Sequence, residues 1–206
     1  MSLKVLGISS SPRVKGNTDL LLREALVGAE SAGGLVEYVA LRERNISGCV
    51  ECNACYKTGR CRIEDDYQEI WQKMIDADRL IVATPVFFMA VSAQCKLLID
   101  RCQCLWAQKY VLKQPLISGG NRDRRGLVIA AGGTKGSRMF DCVRMTMKYF
   151  FDVLDMQFAG GIFGNKVDAA GDILKHPTAM KQANRCGQDL ALASGAVPEK
   201  PINIEL

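Results

Sequence analysis

The chain has 206 residues, with 27 Lys or Arg against 22 Asp or Glu, a single His, a formal net charge of +5 and 48% hydrophobic residues. That is the composition of an ordinary globular protein, one domain long enough to bury roughly 70% of its extended surface without a disulfide scaffold. The longest apolar run, Leu80 to Val91, is broken by Thr84 and Pro85 and falls short of the ~20 residues of a membrane span. Lys4, Gly7 and the serines from Ser9 to Ser11 interrupt the N-terminal apolar stretch before a signal-peptide core can form, so the expected location is the cytoplasm, where thiols stay reduced. The lone His176 excludes two-histidine metal sites and reads as a surface residue at a helix start. Modest charge, no groove-reading motif and no aromatics among the arginines argue against nucleic acid.

In chain order, Leu3 to Ser9 reads as a buried strand that breaks into the turn-rich loop from Ser9 to Thr18. Leu21, Leu22, Ala25, Leu26 and Ala29 then recur at helical spacing, with Asn17 or Thr18 as the cap and Gly33-Gly34 as the stop. A second strand spans Leu35 to Leu41. After a cysteine-rich segment comes a helix from about Asp66 to Asp76, capped by Asp65 or Asp66, and then a strand from Arg79 to Thr84. A helix presenting Val91, Cys95, Leu98 and Cys102 follows. The polar connection from Ala107 to Arg125 resembles an insertion, and Leu127 to Ala131 is the fourth strand. A helix with Val143, Met147, Phe150 and Leu154 inward, a strand from Gln157 to Phe163, a helix from about Pro177 to Leu192 and a polar tail complete the chain. Five strand-helix units predict an α/β fold with a parallel sheet covered on both faces, and one domain over 1–206. Arg122, Arg124, Arg125, Lys135 and Arg138 read as a solvated basic surface loop.

Ligands of an open parallel sheet bind outside the carboxyl ends of its strands, so the residues just after each strand carry the chemistry. After the first strand, Ser9, Ser11, Pro12, Arg13, Asn17 and Thr18, with Gly16 easing the turn into the helix, offer hydroxyls, backbone N–H groups and a positive helix end. The loop is neither GxxxxGK[ST] nor GxGxxG, so a terminal monophosphate suits it better than a triphosphate or a pyrophosphate. After the third strand, Pro85, Val86, Phe87, Phe88 and Met89 place apolar side chains at the same rim, where they can flank a flat ring. After the fourth, Gly132 and Gly133 let backbone approach a ligand closely. Phosphate cradle, apolar wall and backbone edge together suit FMN.

The cysteines divide into two groups. Cys95, Cys102, Cys104, Cys142 and Cys186 are scattered and read as small core hydrophobes. The others form Cys49-Val-Glu-Cys52-Asn-Ala-Cys55-Tyr-Lys-Thr-Gly-Arg-Cys61 in the loop after the second strand. Three thiolates spaced by three residues can wrap one face of an iron-sulfur cubane, and Gly59 helps the chain return so that Cys61 closes the set. Zinc, which usually takes two separated CxxC knuckles, and a metal-free loop are the alternatives. A thioredoxin-like dithiol or a haem attachment site does not match the spacing.

Through Gly7-Ile-Ser-Ser-Ser-Pro-Arg13 with Gly16-Asn-Thr18, Thr84-Pro-Val-Phe-Phe88, and Val91-Ser-Ala-Gln-Cys-Lys96 with Ile99-Asp-Arg101, most of the chain resembles the flavodoxin-like family of NADPH-dependent FMN reductases. The resemblance implies a doubly wound, three-layer α/β/α fold with a five-stranded sheet in the order 2-1-3-4-5. Members commonly carry Tyr at the position of Phe87, so stacking is the role left to that ring. Lys96, Asp100 and Arg101 match the family and are expected to form helix-surface pairs. The compact cysteine spacing resembles the iron-sulfur flavoprotein branch, which implies a [4Fe–4S] cluster on Cys49, Cys52, Cys55 and Cys61. Cluster-free relatives often keep part of the set, which makes Cys49 the discriminating residue.

The expected function is electron transfer, with FMN and the cluster exchanging electrons between a donor, ferredoxin or NAD(P)H, and a small-molecule acceptor. No side chain is assigned as acid, base or nucleophile, because the cofactors carry the chemistry. The resemblance further implies a homodimer or homotetramer in which a cluster faces the FMN of a neighbouring subunit. Two other readings stay open: a cluster-free NAD(P)H-dependent FMN or quinone reductase, and a non-catalytic flavin and thiol redox sensor.

Overall fold

A computed structural model describes residues 3–117, 123–136, 138–195 and 202–206. Its strands are β1 (Lys4–Ser9), β2 (Leu35–Ala40), β3 (Arg79–Pro85), β4 (Arg125–Ala131), β5 (Gln157–Gly164) and β6 (Ile202–Glu205). They pair in parallel in the order β2-β1-β3-β4-β5-β6. The helices are α1 (Asn17–Ser31), α2 (Cys55–Thr58), α3 (Tyr67–Asp76), α4 (Ala93–Arg101), α5 (Gln103–Trp106), α6 (Asp141–Val153) and α7 (Ala179–Leu192). None among the described residues is long and apolar enough to cross a membrane.

The side-chain alternation of a strand assigns each residue to one of two cores. Along β3, Ile81 and Ala83 face the helices α1 and α7, packing with Leu21, Leu22, Ala25 and Ile129. Leu80 and Val82 face the other layer and pack with Ile70, Leu98, Met147 and Phe150 from α3, α4 and α6. α1 and α7 touch through their backbones: a Cβ at Gly187 would lie 1.8 Å from the Ala25 carbonyl oxygen, and one at Gly28 2.0 Å from that of Asn184. Only glycine permits that approach.

The sheet has six strands where five are expected, because the tail contributes β6, whose residues 202–205 pair with Gly160 to Phe163 of β5. Its apolar alternation is one pair of isoleucines long, too short to separate a strand from a polar tail. Four further expectations are corrected. The N-cap of α1 is Gly16, without a side-chain bond, because the Asn17 side chain is engaged elsewhere. Arg124 and Arg125 are not solvated: the first is buried and donates to the carbonyls of Ala77 and Met74, and the second pairs with Asp123 at 2.8 Å, so both tie the start of β4 to the structure around it. Lys135 and Arg138 are exposed, while Arg122 and the preceding Gly119 to Asn121 lie outside the described residues. Cys142 is exposed, whereas Cys95, Cys102 and Cys104 are buried. Finally, α5 and a π-helical turn at Ala107–Val111 prolong the α4 helix into the segment read as a polar connection.

Candidate functional site

Two clefts gather the residues singled out in the sequence, and they share no lining residue. The first, of about 80 Å³, lies over β1, β3 and β4. Ser11, Pro12, Arg13, Asn17 and Thr18 line it together with Pro85, Val86, Phe87, Gly132 and Gly133. Its floor is rigid. Ser10 Oγ donates to the Ala83 carbonyl at 2.9 Å, Ser92 Oγ donates to the Ser10 carbonyl at 2.9 Å, and Thr84 Oγ1 accepts from Ser92 N–H at 2.9 Å, so the first and third loops are locked to each other.

The cradle itself is formed by the turn into α1. Ser11 Oγ accepts from the Arg13 N–H at 3.2 Å, and a Cβ at Gly16 would stand 2.5 Å from that oxygen, so a larger residue there would displace the Ser11 hydroxyl from this bond. Thr18 is buried at the N-terminal end of the 15-residue α1, and its hydroxyl has no hydrogen-bond partner within the protein. An unpaired buried hydroxyl costs about 1–3 kcal/mol, which an anionic ligand at the positive helix end would recover. The site therefore fits a phosphate group.

Arg13 and Asn17 act differently from the sequence reading. Arg13 Nη1 donates to the Asp168 carbonyl at 2.7 Å; Asn17 donates to the Ala169 carbonyl at 3.0 Å and accepts from the Ile173 N–H at 3.2 Å. Both hold the loop after β5 against α1. That loop brings Val167 and Asp168 into the lining, residues the sequence reading missed although the same rule, residues just after a strand, points to them. Ser9 is fully buried beside Asp19 and does not line the cleft. Phe87 flanks the cleft, while Phe88 and Met89 do not line it: they form the tip of a two-residue turn with left-handed φ of 48° and 62°, closed by mutual backbone bonds between Phe87 and Ala90.

The second cleft, of about 320 Å³, holds the cysteine loop. Cys49, Cys52, Cys55 and Cys61 all line it. Left-handed residues Glu51 (φ 50°) and Asn53 (φ 55°) flank Cys52, α2 supplies a single turn after Cys55, and Gly59 (φ 70°) reverses the chain toward Cys61. Burial pushes the Cys55 thiol up, and the neighbouring Cys61, Cys49 and Cys52 push it further, so the four sulfur atoms feel one another. Among the described residues no three His, Cys, Asp or Glu side chains are gathered tightly enough to hold a single ion. A mononuclear zinc site needs all its sulfurs about 2.3 Å from one centre. Four thiols lining one cleft are a donor set that an iron-sulfur cluster takes, and one that zinc takes as well.

The floor of this cleft is Cys104 and Arg101. The buried Tyr67 hydroxyl lies 3.2 Å from Cys104 Sγ and 3.6 Å from Cys102 Sγ. Lys96 and Asp100 do form an exposed surface pair, at 2.6 Å, but Arg101 does not belong to the surface. It is buried, pairs with Asp65 at 2.6 Å, and donates to the carbonyls of Ser47 at 3.0 Å and Ile63 at 2.8 Å, one on each side of the cysteine segment. Sequence reasoning missed this because the partners are 36 or more positions away.

Comparison with known proteins places these clefts in context. The NADPH-dependent FMN reductase family is matched across residues 3–169. An iron-sulfur flavoprotein of Methanocaldococcus jannaschii is 37% identical over 149 residues, 72% of each chain. Another from Archaeoglobus fulgidus is 33% identical over 165 residues, 80% of each. Among solved structures, the NAD(P)H:quinone oxidoreductase from Methanothermobacter marburgensis superposes with a TM-score of 0.70 over 95% of this chain and 100% of that one, at 16% identity, a likeness of fold. With a flavodoxin-like sheet, a phosphate-sized cradle at its carboxyl edge and a cleft of four cysteines beside it, the chain belongs to the NADPH-dependent FMN reductase family, in its iron-sulfur flavoprotein branch, and is an FMN-dependent oxidoreductase.

Proposed function

We propose that this oxidoreductase transfers electrons between FMN in the first cleft and a [4Fe–4S] cluster held by Cys49, Cys52, Cys55 and Cys61, linking a donor, ferredoxin or NAD(P)H, to a small oxidised acceptor. The observation that carries the reading is the convergence of all four cysteines on one cleft. FMN supplies two-electron chemistry and the cluster one-electron chemistry, so together they couple the two kinds of carrier.

The chain's own residues bind and orient. Thr18 and the N–H groups at the start of α1 would hold the phosphate, with Ser11 and Gly16 shaping the turn. Pro85, Val86 and Phe87 would flank the ring on one side and the backbone of Gly132 and Gly133 would meet its edge. Arg13 and Asn17 hold the loop after β5 in place beside it. No side chain is required as acid, base or nucleophile. The family resemblance supports a homodimer or homotetramer in which the cluster of one subunit faces the flavin of another. Free thiols in this number suit a reducing cytoplasm.

Anaerobic purification followed by iron, acid-labile sulfide and FMN analysis tests the reading on the wild type and on Cys49→Ser. The expected result is about four irons per chain, lost in the variant while the flavin stays. Flavin with zinc, or with bare thiols, would instead support the cluster-free reductase.

A further inference from the structure

Resting on the reading of the second cleft as a cluster site, we propose that Arg101 is a positioning residue that clasps both ends of the cysteine loop and raises the cluster's reduction potential by a fixed positive charge, which Asp65 partly cancels.

The geometry is that of a built electrostatic element rather than a surface pair. The Arg101 side chain is 0% exposed and lines the cleft floor. Its Nη1 donates to Asp65 and to the Ser47 carbonyl, and its Nη2 to the Ile63 carbonyl, so the chain just before Cys49 and just after Cys61 is fastened to one guanidinium. The remaining Nε–H is buried and has no partner in the protein. Arginine carries five N–H donors in a rigid fork, so this one stays free to serve an anionic group bound in the cleft that Arg101 lines. The Cys61 thiol lies beside the same guanidinium and favours its charged form.

A cubane bound by four thiolates is anionic, and taking one electron makes it more so, with no bond formed or broken. A buried cation stabilises the more negative state and raises the potential; a buried carboxylate does the opposite. The pair itself is little exposed, Arg101 at 0% and Asp65 at 6%, which limits its screening by solvent.

The test is a redox titration of the cluster, followed by its spectrum, against a dithionite-poised series in wild type, Arg101→Gln, Asp65→Asn and Arg101→Lys. Iron and sulfide analysis of the wild type comes first. Protein without iron refutes the cluster reading itself, whereas iron-loaded protein leaves the Arg101 inference to be decided alone. The expected result is movement in opposite directions: a lower potential in Arg101→Gln and a higher one in Asp65→Asn, each by at least tenfold in the one-electron equilibrium, about 59 mV. Arg101→Lys keeps the charge and should stay near wild type, while its cluster-free form is cleaved faster by trypsin within the loop because the fork is lost. If Arg101 only staples the chain, both neutral variants loosen the same loop and shift together or not at all, and the proposal falls. Should Arg101→Gln fail to accumulate, the sign of the Asp65→Asn shift decides the matter.

Discussion

Arg101 and Asp65 form a buried ion pair that joins α4 to the segment between the cysteine loop and α3, with Nη1 and Oδ2 2.6 Å apart. The carboxylate also accepts from the N–H groups of Ser47 at 2.9 Å and Tyr67 at 3.0 Å, so it supplies the first bond of α3 as well as the base of the loop. Removing one member of such a pair leaves a buried charge without compensation, at a cost of about 3–5 kcal/mol. Asp65→Ala is therefore expected to lower the stability of the reduced, cluster-free protein by that amount in a urea titration. A loss below about 1 kcal/mol would put the pair in the class of solvent-exposed bridges.

Acid should act on the same element. Burial alone would raise the Asp65 pKa, but the Arg101 guanidinium and the two N–H donors outweigh it and hold the carboxyl below its ordinary value. Asp19, fully buried in α1, behaves likewise: burial opposes its charge, and bonds from the Tyr38 hydroxyl and Arg23 prevail. Both pKa values are lower in the folded than in the unfolded state. Their stabilisation is complete above the unfolded carboxylate pKa of about 4 and is lost as pH falls through the folded values. Denaturant midpoints are expected to hold between about pH 5 and 7 and to fall below about pH 4, less steeply in Asp65→Asn. Identical acid slopes in variant and wild type would remove Asp65 from the explanation.

The parallel sheet covered on both faces was legible because β1, β3 and β4 are apolar runs buried on both faces and the helices repeat at 3.6 residues, whereas the order of the first five strands came from the family resemblance and not from any local pattern. Most of the first cleft was legible for a related reason, since its residues follow strands directly. What local pattern could not show were long-range partners. Arg101, Arg124 and Arg125 look alike in sequence to any surface arginine, and each is buried by carbonyls or carboxylates that arrive from elsewhere in the fold. Cys104 was read as core, correctly as to burial, but the continuation of α4 into α5 carries it to the floor of the cysteine cleft.

The unpaired Thr18 hydroxyl permits a prediction in which stability and binding part company. Thr18→Val keeps the shape and removes a buried polar group that has no partner in the ligand-free protein, so the apoprotein should be as stable as wild type or more so. Binding of FMN should weaken about tenfold or more, because a hydrogen bond to a charged phosphate is worth about 1.5–3 kcal/mol. Quenching of flavin fluorescence gives the affinity and thermal unfolding the stability. Unchanged affinity would place the phosphate away from α1.

The turn at Phe88 and Met89 is strained for its composition. With positive φ at both central positions, the two-residue turn closed by mutual backbone bonds between Phe87 and Ala90 is of the kind that favours Asn-Gly. A bulky residue held there costs about 1–2 kcal/mol. Among the described residues nothing repays Phe88 for it: the side chain is fully exposed, and Met89 is about half exposed. The double variant Phe88→Asn, Met89→Gly should accordingly stabilise the apoprotein by about 1–3 kcal/mol in urea, while turnover with a small-molecule acceptor falls because the exposed apolar rim next to Phe87, outside the cleft lining, is gone. A stabilised variant with undiminished turnover would mean that the rim has no part in the reaction. A destabilised one would mean that Phe88 is covered in solution, and sedimentation of the two proteins would show whether the cover is a second copy of the chain.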